Sequence, residues 1–310
     1  MAEVIVQEES LVTVADAIRE KTGGTEGLVF PTGFAEAISG IESGGNTDAE
    51  DGIVTRTITE YKNDRLTTIG RYAFYYCTTL TNVDFPNVTY VGTAAFCQCN
   101  KLKTINIPSI TKIGAQAFYM CNELTTIDFP NASTNEGKEA FYNCNNLSSI
   151  NLPILTSIGE SMFYMCQALT SADFPMAKTI GKKAFYKCST LATTNFPVAT
   201  SVGMYAFQNC TALITIDFPM VSTISTYAFS GCSQLTTLII RNETMATLNG
   251  TNAFTSTPIA SGTGYIYVPS ALLATYQEDS VWSTYSAQFR ALEDYTVDGT
   301  TTGALDETKI

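Results

Sequence analysis

The chain has 310 residues, 45% of them apolar, with a formal net charge of −12 and no histidine. That length can bury a sizeable core, and the missing imidazole removes Ser-His-Asp and Cys-His nucleophiles, His acid–base work and imidazole zinc sites. An acidic chain with no basic run is also a poor partner for nucleic acid or anionic membrane, and no stretch of 18 apolar residues is present to span a bilayer.

The acidity belongs to the ends. Residues 1–52 hold eleven acids against Arg19 and Lys21, a balance of −9. Residues 278–310 hold seven against Arg290 and Lys309, or −5, and the stretch between carries eleven acids and thirteen bases, or +2. MAEVIVQEES lacks the basic start and apolar stretch of a secretory signal. Three routes stay open: the chain remains inside, its signal was removed, or it leaves by another path.

SLVTVADAIREKTGG spaces Leu11, Val14 and Ile18 along one helical face and stops at Gly23. FPTGFAEAISGIESGG repeats the spacing with Phe34, Ala37, Ile38 and Ile41. Residues 1–41 are therefore expected to form a helical hairpin, followed by a flexible acidic linker at 42–52. The ADAIREKTGG and FPTGFAEAISGI pieces resemble a small N-terminal module of tail and other structural proteins of phages and prophages of Gram-positive bacteria. An ordinary helix pair accounts for the same residues. A phage origin would imply an exterior protein released by lysis, with residues 1–41 binding virion proteins or self-associating.

From residue 53 the chain repeats itself. Phe74, Phe96, Phe118, Phe141, Phe163, Phe185, Phe207 and Phe229 are each followed three residues later by Cys, from Cys77 to Cys232, and three later again by Leu, from Leu80 to Leu235. The step is 22 residues, except for one of 23 between the third and fourth units, and such a period signals a solenoid. LTNVDFP, 80–86, alternates as a short strand with Val83 and Phe85 inward and Asp84 outward, and Pro86 ends it. The glycines of YVG, KIG, SIG, TIG and SVG suit positive φ or close approach to the next coil. AFxxC is short enough for one turn of helix or 3₁₀.

These LTxIxFP and IGxxAFxxC pieces resemble the BspA-like class of leucine-rich repeats, over about 53–277. The resemblance implies a mainly β solenoid of about eight coils, short parallel strands joined by helical or 3₁₀ turns. It further implies a surface or secreted adhesion and interaction protein, since that is what most members are. Cys precedes Leu here, and Pro follows the strand, which departs from the commoner leucine-rich form.

NASTNEGKEAFYNC, 131–144, carries the extra residue and is expected to bulge, with Glu136 where other units place Ile or Val. After Phe229 the repeat degrades: Arg241 replaces Pro, and Phe254 arrives 25 residues on. Trp282, among Tyr276, Tyr285, Phe289 and Leu292, is expected to anchor a helical cap at 265–295, which also resembles the usual ending of BspA-like proteins. The solenoid thus occupies 53–264, and the polar residues 296–310 read as disordered.

The outward strand position gives a column in which Asp and Asn alternate: Asp84, Asn106, Asp128, Asn151, Asp173, Asn195 and Asp217. Stacked carboxylates would repel, and amides between them double the charge spacing. The column reads as a hydrogen-bonding ladder, as a strip for sugar hydroxyls, or as a calcium strip of oxygen ligands. Beside it run Asn82, Thr104, Thr126, Ser149, Ser171, Thr193 and Thr215. Tyrosine follows the repeat Phe at Tyr75, Tyr119, Tyr142, Tyr164 and Tyr186, interrupted by Cys97. That row can stack on sugar rings, form a protein interface or shield the Phe column. The eight in-register cysteines read as buried free thiols, and Cys97, at the Tyr position, as an exposed one.

No cofactor or metal motif stands out, and identical coils do not give two carboxylates the different environments that catalysis needs. The sequence therefore points to a non-enzymatic binding protein at an extracellular or virion surface. The first reading is a phage or prophage tail-associated protein that recognises a bacterial surface. The alternative is a secreted adhesin for host protein or mucin glycan.

Overall fold

The computed structural model describes residues 57–297 and 300–301. The expected hairpin at 1–41 and linker at 42–52 lie outside the described residues. So does most of the tail, of which Thr296–Val297 and Thr300–Thr301 form a short antiparallel pair.

Each coil contributes two strand segments to two parallel columns. The first column runs from Glu60–Lys62 to Phe289–Ala291 and contains eleven strands of three or four residues. Eight of these belong to the repeats read from the sequence; one precedes them and two follow. The second column holds nine shorter strands, from Thr68–Ile69 to Thr247–Leu248. Partners are one repeat apart, as in Asn82↔Thr104, Val83↔Ile105 and Asp84↔Asn106.

The third side of each coil is neither strand nor continuous helix. The amides of Ala117, Tyr119 and Cys121 bond to carbonyls three residues back, the spacing of a 3₁₀ turn. The residues between them reach outward instead: the amides of Gln116, Phe118 and Met120 donate to Lys138, Ala140 and Tyr142 of the next coil at 2.8–2.9 Å. This alternation requires left-handed backbone two residues before and two after the Phe, as at Gln116 (φ 56°) and Met120 (φ 58°). Neither is glycine, so each position carries a steric cost of about 1–2 kcal/mol, offset by backbone bonds that leave the turn's amides paired.

Inside, Phe74, Phe96, Phe118, Phe141, Phe163, Phe185, Phe207, Phe229 and Phe254 form one stack, with ring centroids 5.0–5.5 Å apart. Their burial is the main stabilising contribution, about 1.5–3 kcal/mol per side chain. The cysteines fill the narrow space beside them, and each thiol from Cys99 to Cys232 donates to the Phe carbonyl of the coil before, at 3.0–3.2 Å. That carbonyl already accepts the amide of its own coil's Cys, as Phe118 does from Cys121.

The glycine after the second strand serves close approach. A Cβ on Gly203 would lie 2.6 Å from the backbone of Gly181 and Lys182. In the 131–144 coil the register pairs Ile113 with Asn135 and Gly114 with Glu136. Asn135, not Glu136, therefore takes the apolar position, and Glu136 takes the glycine's. The extra residue is absorbed just afterwards, at Gly137 (φ 131°). The second-column ladder ends there, and a new one begins at Ser157–Ile158.

Within 265–295, expected as a helical cap, the strands Tyr265–Val268 and Phe289–Ala291 continue the first column between short helical turns. Tyr285 and Trp282 lie against Phe254 and close the Phe stack, at 5.3 and 6.2 Å. The Ala246 amide donates to the Tyr276 phenol, and Trp282 Nε1 donates to the Ala246 carbonyl, both at 2.7 Å. Among the described residues no helix is long and apolar enough to cross a membrane.

Candidate binding surfaces

Asp and Asn of the first column share the outer edge, but as separate pairs and not one ladder. Asn106 Nδ2 donates to Asp84 at 2.7 Å, Asn151 to Asp128 at 2.6 Å and Asn195 to Asp173 at 2.9 Å. The ends are held by cations: Lys62 pairs with Asp84 at 2.7 Å, and Arg241 grips Asp217 through Nε and a terminal nitrogen at 2.8–3.0 Å. Arg241, which broke the proline pattern, thus reaches back to Asp217 from two residues beyond Ile239, its register partner. The Lys62 ammonium holds the Asp84 carboxyl below its usual range, with Asn106 assisting. Every Asp thus has an internal donor on one side.

The backbone follows the same two-coil rhythm. At Asp-to-Asn steps the amides of Phe85, Phe129 and Phe174 donate to Asn106, Asn151 and Asn195 at 2.8–3.0 Å, and the strands pair. At Asn-to-Asp steps the first-column strands belong to different ladders. The amides of Glu123, Ala168 and Ala212 join those coils instead, donating to Asn100, Asn145 and Ser189 at 3.1–3.2 Å.

The tyrosine row stands on the turn side, a different side of the coil; Tyr119 precedes Asp128 by nine positions of the 22-residue circuit. Tyr119, Tyr142, Tyr164 and Tyr186 stack continuously, with centroids 4.4–4.7 Å apart and planes within 11°. Tyr75 is not in that stack and packs on Tyr72 and Tyr76. Because ring faces cover one another, the row presents ring edges and hydroxyls, which leaves no inner face for a sugar ring. Burial, then the neighbouring phenols, pushes the Tyr164 hydroxyl up to about 12, so it stays a donor at neutral pH.

Two features went unnoticed in the sequence. Tyr205 and Tyr227, each two residues before the repeat Phe, form a second stack at 5.2 Å. Lys183 occupies the same position one coil earlier, and its Nζ lies 5.9–6.0 Å from the rings of Tyr164, Tyr186 and Tyr205. Lys187 Nζ lies 5.5 Å from Tyr186. The 22-residue spacing of 205 and 227 was the available signal.

All nine cysteines are free and buried. Cys97 departs from expectation: only 6% of it is exposed, and burial raises its thiol to about 11. At the matching position of the coils that follow, Tyr119, Tyr142, Tyr164 and Tyr186 are half-buried.

A family profile described as BspA type leucine-rich repeat region matches in six copies, over residues 67–191 and 156–270. Among curated proteins none matches the chain in sequence. Three solved structures are similar. A leucine-rich repeat protein of Bacteroides ovatus is 20% identical over 76% of this chain and 84% of its own, with a TM-score of 0.33. The T. pallidum leucine-rich repeat protein is 26% identical over 52% and 79%, with a TM-score of 0.47. A leucine-rich cell surface protein of Faecalibacterium prausnitzii is 21% identical over 76% and 80%, with a TM-score of 0.42. The profile spans 67–270, more than half of the 310 residues, and the register beneath it repeats in every coil, so the chain belongs to the BspA-type leucine-rich repeat family.

Proposed function

We propose that this protein is a non-enzymatic binding protein working at a surface outside a cell, and that the tyrosine side of the solenoid is its contact face. The observation that carries the reading is the division of labour between the two candidate strips. Each Asp of the Asp/Asn column is engaged by Asn, Lys or Arg, whereas the half-buried tyrosine row stacks over four consecutive coils, its phenols set beside one another. The Asp/Asn column then holds coil register, and the phenols meet the partner. Family likeness supports the surface role. The resemblance of residues 1–41 to phage and prophage modules supports a tail-associated protein that recognises a bacterial surface; a secreted adhesin for host protein or mucin is the second reading.

The test is co-sedimentation of the full chain with purified Gram-positive cell walls and, separately, pull-down with mucin. Binding to walls alone supports the tail-associated reading, and binding to mucin alone supports the adhesin. A Tyr142→Ala/Tyr164→Ala variant should lose binding while Asp128→Asn/Asp173→Asn retains it. The reverse result would move the contact face to the strand column.

A further inference from the structure

We propose that the tyrosine face reads an acidic polysaccharide, with Lys183 and Lys187 binding its anionic groups and the phenols of Tyr164, Tyr186 and Tyr205 bonding its hydroxyls. The inference rests on the binding role proposed above and adds the ligand's charge and chemistry.

The turn geometry brings the two lysines to one place. Both sit in the left-handed positions of a single coil, Lys183 at φ 56° and Lys187 at φ 58°, on either side of Phe185-Tyr186 in sequence. Their ammoniums lie within 6 Å of the Tyr186 ring. Lys183 is half-buried, with its Nζ about 6 Å from each of three ring centroids. Neither lysine makes an ion pair among the described residues, although neighbouring Lys182 pairs with Glu160 at 3.2 Å, as Lys62, Lys103 and Lys112 do with acids of their own. A chain of net charge −12 thus places two cations that have no ion pair among the described residues beside the tyrosine row.

The row selects the rest of the ligand. Tyr119, Tyr142, Tyr164 and Tyr186 cover one another's faces, so stacking on a sugar ring is blocked along its length. What remains are ring edges and phenol oxygens one coil apart, those of Tyr142, Tyr164 and Tyr186 facing one another and each keeping a lone pair for a further donor. A polymer carrying repeated hydroxyls with a carboxylate, sulfate or phosphate at intervals matches that surface. An acidic peptide offers the charge but lacks the repeated hydroxyls.

The full chain would be titrated with polygalacturonate, hyaluronate and dextran sulfate, with neutral dextran and poly-L-glutamate as comparisons. At least one acidic polysaccharide should bind more tightly than both comparisons and weaken as salt rises. Lys183→Asn/Lys187→Asn should cost roughly tenfold or more. Asparagine tolerates the left-handed backbone, as Asn143 and Asn209 already do at the Lys187 position of other coils, so the fold is kept. Tyr164→Phe/Tyr186→Phe should weaken binding without changing its salt dependence, and Lys178→Asn should leave it unchanged. The proposal falls if none of the three polymers binds, if binding survives the double lysine variant, or if poly-L-glutamate binds as well. Binding to cell walls or mucin alongside failure of all three polymers would sink this inference and leave the surface role standing.

Discussion

The cysteine column shows how one side chain answers several demands of a repeating coil. A thiol is small enough for the space beside the Phe stack, and its proton reaches a carbonyl that the turn leaves with a free lone pair. Burial drives these thiols upward from 9.0, to about 12 for Cys144 and Cys232. Such a group contributes full stability below its unfolded value and loses it as pH climbs toward the folded one, because only the unfolded chain releases the proton. Stability should therefore fall above about pH 9, by about 1.4 kcal/mol per pH unit for each thiol involved. Urea midpoints measured from neutral to alkaline pH would show the decline, and Cys144→Ala should make it shallower. An unchanged slope would remove the column as its cause.

At the scale of the coil, period and inward residues were legible in the sequence because Phe, Cys and Leu recur with little variation. The backbone of the turn was not. The left-handed position before the Phe holds Tyr, Ala, Gln, Glu, Ser and Lys in successive coils, and the one after it is Asn or Gly only at Asn143, Asn209 and Gly231, so no consistent signature marks them, and it is the bonds to neighbouring coils that impose the conformation. Asp/Asn alternation was visible, but which neighbour each Asn would choose was not, since both lie 22 or 23 residues away. The tyrosine spacing was visible, but that Tyr75 would stand apart from the stack and Lys183 would lie beside it emerged only once the coils were stacked. Glu136 was misplaced because the position of an insertion within a unit is invisible to residue counting. With the second ladder broken after it, amide exchange across 136–138 should exceed that at the matching residues of the next coil, 159–161, in a mass-spectrometric time course. Equal protection would mean that the bulge is held by contacts other than the ladder.

The molecule as a whole depends on its cap, because a stack ends in an open face unless something covers it. Tyr276 and Trp282 satisfy both backbone groups of Ala246, which is itself buried. Tyr276→Phe keeps the ring and leaves one buried amide without an acceptor, a loss of about 1–3 kcal/mol. Thermal unfolding should shift down accordingly, and a shift within error would show that the cap contributes through packing alone.

The pairing of Asp with the Asn above it gives the solenoid a parity: coils come in twos, and length can change without electrostatic conflict only by an even number. Deleting 185–206, one coil, would seat Asp173 against Asp217 with no amide between them. Deleting 163–206, two coils, would seat Asn151 against Asp217, the succession already present at every Asn-to-Asp step. The one-coil deletion should therefore gain stability on adding salt, and the two-coil deletion should not. A change of 44 residues therefore preserves the Asp/Asn succession, whereas an internal change of 22 sets like residues side by side.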